Sequence, residues 1–301
     1  MRDLATLPKA HLHLHFTGSM RPDTLRDLAA QYDVRLPHAL VDGDPLRLPP
    51  TERGWFRFQR LYDAARACVR SEADMRRIVL DAARSASAAT GTEVAVVVAA
   101  SRTRHPLDAR TLARLAAQYA GEGAGEVVGF GLSNDERRGD TAEFARAFAI
   151  ARRAGLASVP HGGELLGPGH VHDVVRELVP DRLGHGVRSA EDRHVLDDLV
   201  DRGIALEVCP ASNVSLGVYE DAAQVPLGAL VDAGARVALG ADDPLLFGSR
   251  LVAQYETARD EHGFSDEELA ALARSSIRAS RASSATKQRL LAGVDDWLAA
   301  P

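Results

Sequence analysis

This 301-residue chain has few cysteines and lysines, no long apolar run and no excess of positive charge. Only two cysteines, Cys68 and Cys209, occur, so no disulfide framework is implied and a reducing compartment is suitable. No run approaches the roughly 20 apolar residues of a membrane-spanning helix, and the first residues have no signal-peptide core. The net charge of -6 gives no general attraction to nucleic acid or to anionic membranes. We therefore expect a cytoplasmic protein without nucleic-acid or membrane partners.

The most informative segment is His11-Leu12-His13-Leu14-His15-Phe16, in which histidine alternates with apolar residues. This is the period of a β-strand, so the pattern predicts three imidazoles on one face. A metal ion would organise such a cluster, because neutral imidazole is a preferred zinc ligand. A chance cluster on a surface strand is the competing interpretation. An expression tag is disfavoured, because a tag does not alternate with core-like residues.

Short apolar runs alternate with amphipathic helical stretches along most of the chain, a pattern typical of βαβ units and a parallel sheet. The predicted strands are His11–Phe16, Glu93–Ala99, Val127–Leu132, Ala157–His161, Arg182–Gly184, Ala205–Val208 and Val237–Leu239. Polar motifs follow several of these strands, at the ends that would converge on the mouth of a (β/α)8 barrel. A doubly wound sheet is the alternative, but it would be expected to have a glycine-rich phosphate loop after its first strand. We predict a TIM-type barrel as one domain over residues 1–301, with extra helices over 22–84 and a helical C-terminus.

Six segments recur in the order found in one known family. They are LPKAHLHLHFTGSM, VVGFGLSNDE, PHGGE, RLGHG, LEVCPASN and LGADDPLLFG, between residues 7 and 248. Together they resemble the adenosine deaminase family of the amidohydrolase superfamily. The resemblance implies a metal-dependent hydrolase that converts adenosine, or a closely related 6-aminopurine nucleoside, to its 6-oxo product and ammonia.

The resemblance also implies a metal site. One Zn²⁺ would be held by three imidazoles and one carboxylate, leaving a position for a water of lowered pKa; these ligands are His13, His15, His161 and Asp242. The scarcity of lysine supports a single metal. Relatives with two metals bridge them with a carboxylated lysine on a barrel strand, whereas Lys9 precedes the first predicted strand and Lys287 lies in the C-terminal helical region. The zinc deaminases that act on cytosine need H-x-E with P-C-x-x-C, which this chain lacks.

Two residues have catalytic roles by the same resemblance. His185 would orient the attacking water and take its proton, and Glu164 would protonate the purine ring. Four further residues are expected to line the substrate pocket, namely Asp243, Gly163, Thr17 and Asn134. Taken singly, these residues have ordinary interpretations: a carboxylate in a helix's first turn for Glu164, and a turn or N-cap for Asp242-Asp243-Pro244.

The chain departs from the family in its predicted pocket and in its strand count. Thr17 replaces an acidic residue that contacts the ribose end in relatives, and Asn134 replaces a small residue near the purine. The substrate therefore stays open among adenosine, adenine and a modified nucleoside such as 6-amino-6-deoxyfutalosine. Seven strands are predicted where the barrel needs eight, so one βα unit is expected to be missing between about residues 84 and 93. An inactive purine-binding member, with exposed strand edges, is the second hypothesis. A nucleic-acid binder is a third, disfavoured by the net charge.

Overall fold

The computed structural model describes residues 1–41, 44–86, 92–123 and 125–300, with the backbone alone over 81–86. A six-stranded parallel sheet organises this part of the chain, and its strands neighbour one another in chain order. The strands are Val96–Ser101 (β1), Val127–Ser133 (β2), Ala157–Gly162 (β3), Arg182–His185 (β4), Ala205–Val208 (β5) and Arg236–Leu239 (β6).

Four helices precede the sheet, and the others follow or separate its strands. The first four are Pro22–Gln31 (α1), His38–Val41 (α2), Glu52–Arg66 (α3) and Glu72–Ala86 (α4). Between strands lie Pro106–Gln118 (α5), Ala145–Arg153 (α6), Pro168–Leu178 (α7), Arg193–Asp201 (α8), Pro210–Ser215 (α9) and Leu227–Asp232 (α10). The last are Pro244–Phe247 (α11), Leu251–Asp260 (α12), Asp266–Ala279 (α13) and Ser284–Ala299 (α14). None of the described helices is both long and apolar enough to cross a bilayer.

Six of the seven predicted strands are confirmed, because the buried strands of a parallel sheet consist of short, nearly continuous apolar runs. The strand predicted over His11–Phe16 is wrong as a regular element. It forms a single bridge, between Leu14 and Asp242. Backbone hydrogen bonds there join His15 N to Asp242 O (2.9 Å) and Asp242 N to His13 O (3.1 Å). Pairing on one side only explains the short bridge, since no described strand lies on its other side.

The sheet ends at β1, whose only strand neighbour among the described residues is β2. Between Thr17 and Glu93 the described residues form helices and no strand. Residues 87–91 of the interval expected to lack a βα unit lie outside the described residues. Large apolar side chains of α4 and β1 are exposed, including Met75, Val79 and Val96. The edge of the sheet at β1 therefore lacks the cover that a complete barrel would supply.

The helices before the sheet have a hydrophobic cluster of their own, which includes Met20, Leu25, Phe58, Leu61 and Phe247. The Phe58 ring of α3 stacks on Phe247 of α11, with centroids 5.5 Å apart. Since α11 follows β6 directly, this contact holds α3 over the carboxyl ends of the strands.

The larger hydrophobic cluster fills the space between the strands and the outer helices. In it, Phe130 of β2 meets Phe148 of α6 edge to face, with centroids 5.2 Å apart. Ser265 and Glu268 form a capping box at the start of α13, which satisfies backbone amides that the helix leaves unpaired. The packing that stabilises the strands thus lies between them and the outer helices. Polar residues can therefore occupy the carboxyl ends of the strands.

Candidate active site

Polar side chains from four parts of the chain converge at the carboxyl ends of the strands. His13 and His15 come from the N-terminal segment, His161 from β3, His185 from the end of β4, and Asp242 from the loop after β6. Ligand atoms lie within 4.8 Å of one another in the groups His13–His15–Asp242 and His13–His161–His185. The four residues predicted to bind metal are therefore brought together, with His185 beside them.

The backbone is strained at three of the predicted site residues. Asn134, His185 and Asp242 have φ angles of 80°, 66° and 58°, in the left-handed region that costs a residue other than glycine about 1–3 kcal/mol. Such conformations persist where surrounding contacts enforce them, and they cluster at functional sites. At Gly163, whose φ is 76°, a Cβ would also lie 2.6 Å from Cγ2 of Val171. Packing within the protein thus explains this glycine, and its contact with the purine stays a prediction.

Asp242 is held on both sides. Its Oδ2 accepts a hydrogen bond of 2.6 Å from Ser212 Oγ, and its Oδ1 lies 3.1 Å from His15 Nε2. The third histidine of the N-terminal segment, His11, supports the same loop, because its Nε2 accepts from Ala241 N at 3.0 Å. Burial lowers the pKa of His11 to about 4, which keeps it a neutral acceptor. His11 therefore positions the loop and lies outside the cluster of ligand atoms.

A buried ion pair orients His13. Its Nδ1 lies 3.0 Å from Glu207 Oε2, and Glu207 Oε1 accepts a 2.6 Å bond from Arg182 Nε. Burial opposes ionisation of Glu207, but Arg182 and His13 lower its pKa to about 2. This leaves His13 Nε2 buried and, within the described part of the chain, without a hydrogen-bond partner. It is therefore available to a metal, as in carboxylate–histidine–metal arrangements. Sequence reasoning missed this pair; the signal was a glutamate inside the apolar strand Ala-Leu-Glu-Val.

The electrostatics of the cluster suit a cation. Burial disfavours a charged His13, yet Asp242 and Glu207 raise its pKa to about 10. The pKa of His15 is also raised, against burial, by Asp243 and Asp242. Sites that bind a proton this firmly are rich in negative charge, and imidazole nitrogens with one carboxylate are a donor set that suits zinc. The residues present therefore fit a metal ion.

Glu164 and His185 form a second buried pair beside this cluster. Glu164 Oε2 lies 3.6 Å from His185 Nε2, and both side chains are almost inaccessible. Burial, with the charges of Asp242 and Glu136, raises the pKa of Glu164 well above its usual range. Burial, with the charge of His13, lowers the pKa of His185 to about 3. The two shifts favour a protonated carboxyl group at Glu164 and a neutral imidazole at His185.

Helix α3 contacts the predicted substrate residues. Thr17, on a short helical turn over Thr17–Ser19, is buried, and its side chain interacts with the Tyr62 hydroxyl of α3. Asn134 Nδ2 donates to Gln59 Oε1, also of α3, at 3.2 Å. Asp243 is buried beside Asp242, and its Oδ1 has no hydrogen-bond partner among the described residues. Asp243 therefore lies beside the cluster, and α3 contacts both Thr17 and Asn134.

Comparison with known proteins decides the family. The model of the family described as "Adenosine deaminase" matches residues 8–85 and 78–297. This chain belongs to the adenosine deaminase family. It is accordingly a deaminase of the hydrolase class, built on the TIM-type amidohydrolase fold, as the six motifs predicted.

Three similar proteins show how far the likeness extends. A Streptomyces virginiae protein, provisionally named adenosine/adenine deaminase, is 56% identical over 336 residues, covering 99% of this chain and 98% of that protein. An adenine deaminase of Agrobacterium fabrum is 42% identical over 219 residues, covering 72% of this chain and 66% of that protein. The crystal structure of adenine deaminase from Arthrobacter aurescens has a TM-score of 0.85 at 28% identity, covering 97% of this chain and 99% of that chain.

The alignments also bear on the missing βα unit. The Streptomyces virginiae alignment spans 336 residues while this deaminase has 301, so at least 35 positions of that relative have no counterpart here. The family model matches in two pieces that overlap over residues 78–85, next to the interval where a βα unit was expected to be missing. A length of about 35 residues is that of one βα unit.

Proposed function

We propose that this deaminase hydrolyses the 6-amino group of a purine with the help of one zinc ion, and that free adenine is preferred over adenosine. The observation that carries the proposal is the buried Glu164–His185 pair beside the His13, His15, His161 and Asp242 cluster. A protonated acid and a neutral base at one site are what hydrolytic deamination requires.

In this proposal His13, His15, His161 and Asp242 hold the zinc ion. When bound, the ion supplies a water of lowered pKa and a positive charge near the reacting carbon. Neutral His185 accepts the proton that this water loses, and Glu164 donates its proton to a ring nitrogen as the C6–O bond forms. Breaking the C6–N bond then releases ammonia, so that adenine and water give hypoxanthine and ammonia.

The preference for the free base rests on the residues that α3 covers. Thr17 has no carboxylate to accept hydrogen bonds from a ribose, and its side chain already interacts with Tyr62. Asn134 is bonded to Gln59 of the same helix. A nucleoside would have to displace these contacts, whereas a free base is smaller by the whole sugar. The two relatives above that are named adenine deaminases agree with this choice, and adenosine, the first expectation from sequence, is not confirmed.

The test is a comparison of kcat/KM for adenine, adenosine and 6-amino-6-deoxyfutalosine, measured by ammonia release from zinc-loaded protein. We expect adenine to exceed adenosine by at least about tenfold, which corresponds to about 1.4 kcal/mol of differential transition-state binding. A higher value for adenosine would contradict the assigned preference. Zinc-loaded, folded protein with no turnover of any of the three would favour the inactive, purine-binding alternative.

A further inference from the structure

Two buried charged residues near the site have no part in the chemistry described so far. Arg102 directly follows β1, and Glu136 lies in the loop after β2; each is only 2% exposed. Burying a charge costs several kcal/mol unless it is paired and hydrogen-bonded. The partners of these two side chains therefore indicate what they are for.

Glu136 binds three consecutive backbone amides of the loop that contains Glu164. Its Oε2 accepts from Glu164 N (3.1 Å), Leu165 N (2.8 Å) and Leu166 N (2.9 Å), and its Oε1 lies 3.1 Å from Glu164 N. Oriented amides of this kind form an anion-binding concavity, which here is filled by a carboxylate of the protein itself.

Arg102 binds the other end of the same loop. Its Nη2 donates to His161 O at 2.6 Å, and its Nη1 donates to Thr141 Oγ1 at 3.1 Å. The Arg102 charge also acts on Glu136, and His170 Nδ1 lies 3.7 Å from the Glu136 carboxylate. The two buried side chains therefore act on one short segment and partly balance each other's charge.

We propose that Arg102 and Glu136 are positioning residues that fix the segment His161–Leu166 from its two ends, and so set the placement of Glu164 relative to His161. The proposal rests on the proposed function for the roles of those two residues. The segment needs external support because its middle is Gly162-Gly163, which has no side chains of its own to pack. Arg188 adds a third contact, donating from Nη1 to Leu165 O at 2.6 Å.

Without these contacts, Glu164 would be less precisely placed, and the rate of the reaction depends on that placement. A displacement of about 1 Å can cost a factor of about 100 in rate. In E136Q the amide oxygen can take the place of Oε2, which alone contacts all three backbone amides, so these three contacts are retained and only that of Oε1 with Glu164 N is lost. In E136D the carboxylate is shorter by one methylene and cannot reach all three.

The first readout does not depend on activity. Hydrogen exchange of the Glu164, Leu165 and Leu166 amides is expected to be slow in wild type and E136Q, and at least about tenfold faster in E136D. The exposed Glu143, changed to Gln, is the matched control and should leave these amides unchanged. Equal protection of the three amides in E136D and wild type would overturn the proposal.

The second readout is kinetic. We expect kcat with adenine to fall about 100-fold in E136D and less than tenfold in E136Q, with zinc content retained and KM changed far less than kcat. R102K, which keeps the charge but loses the guanidinium's reach, should also lower kcat. A kcat loss in E136D that only follows the fraction of unfolded protein would refute positioning. Wild type that shows the predicted exchange pattern but no turnover would instead count against the proposed function.

Discussion

Replacing Gly184 with alanine should weaken metal binding, because the space beside this glycine is filled by two of the proposed ligands. A Cβ at Gly184 of β4 would lie 2.7 Å from His161 Cδ2 and 3.1 Å from His13 Cε1. Carbon atoms in ordinary contact are about 3.5–4.0 Å apart, so the His161 ring would have to retreat by about 1 Å. Metal–ligand distances tolerate about 0.2 Å. We therefore expect zinc affinity to fall by about 10–100-fold or more, in the range seen when ligand support is lost.

The assay is a titration of metal-free protein with zinc against a competing chelator, accompanied by thermal unfolding. Gly228 of α10 is the matched control, because a Cβ there would meet no atom within 4 Å. G228A should keep the wild-type zinc affinity and gain up to about 1 kcal/mol of stability, since alanine restricts the unfolded chain. A folded G184A variant that binds zinc as tightly as wild type would refute the assignment of His13 and His161 as ligands.

Three further substitutions are informative. E164Q should lower kcat by about 10²–10⁴ with zinc content unchanged, and a fully active variant would exclude Glu164 as the acid. E207Q should reduce zinc affinity about 10–100-fold in the same titration, because it weakens the hydrogen bond to His13 Nδ1. An unchanged affinity would contradict the role of Glu207 in orienting His13. Asp74 accepts hydrogen bonds from Tyr32 Oη and two backbone amides, which hold its pKa below 3.8 despite burial. The contribution of ionised Asp74 to the free energy of unfolding is therefore complete above pH 3.8 and is lost as the pH falls through the lowered pKa. The Tm difference between wild type and D74N should vanish in acid, and a difference that persists there would contradict this reasoning.

Much of the fold could be predicted because it depends on local patterns. The buried strands β2 to β6 are short apolar runs, and the polar motifs that follow them mark their carboxyl ends. The segment His11–Phe16 has an equally clear alternation, yet forms only one bridge. Alternation predicts which face a side chain takes, but a strand also needs neighbours, and their positions depend on the whole chain.

The candidate site, like the fold, could be predicted only in part from the sequence. The predicted metal ligands, with Glu164 and His185, could be assigned from resemblance, and the structure brings them together. The roles of Arg102, Glu136 and Glu207 could not, although the two glutamates lie inside the motifs, because a charged residue in a sequence is most often on the surface. Only the packing of β1, β2 and β5 shows that these three are buried and which groups they bind. The proposed substrate preference was equally hidden, since it depends on contacts of α3, which lies outside the motifs in sequence.

The most direct test of the account is to remove the metal with a chelator and return zinc stepwise, while ammonia release from adenine is measured. We predict that activity is lost on chelation and rises in proportion to added zinc until one ion is bound per chain, then stays constant. Full activity in metal-free protein, or a requirement for a second ion, would contradict a single zinc site formed by His13, His15, His161 and Asp242.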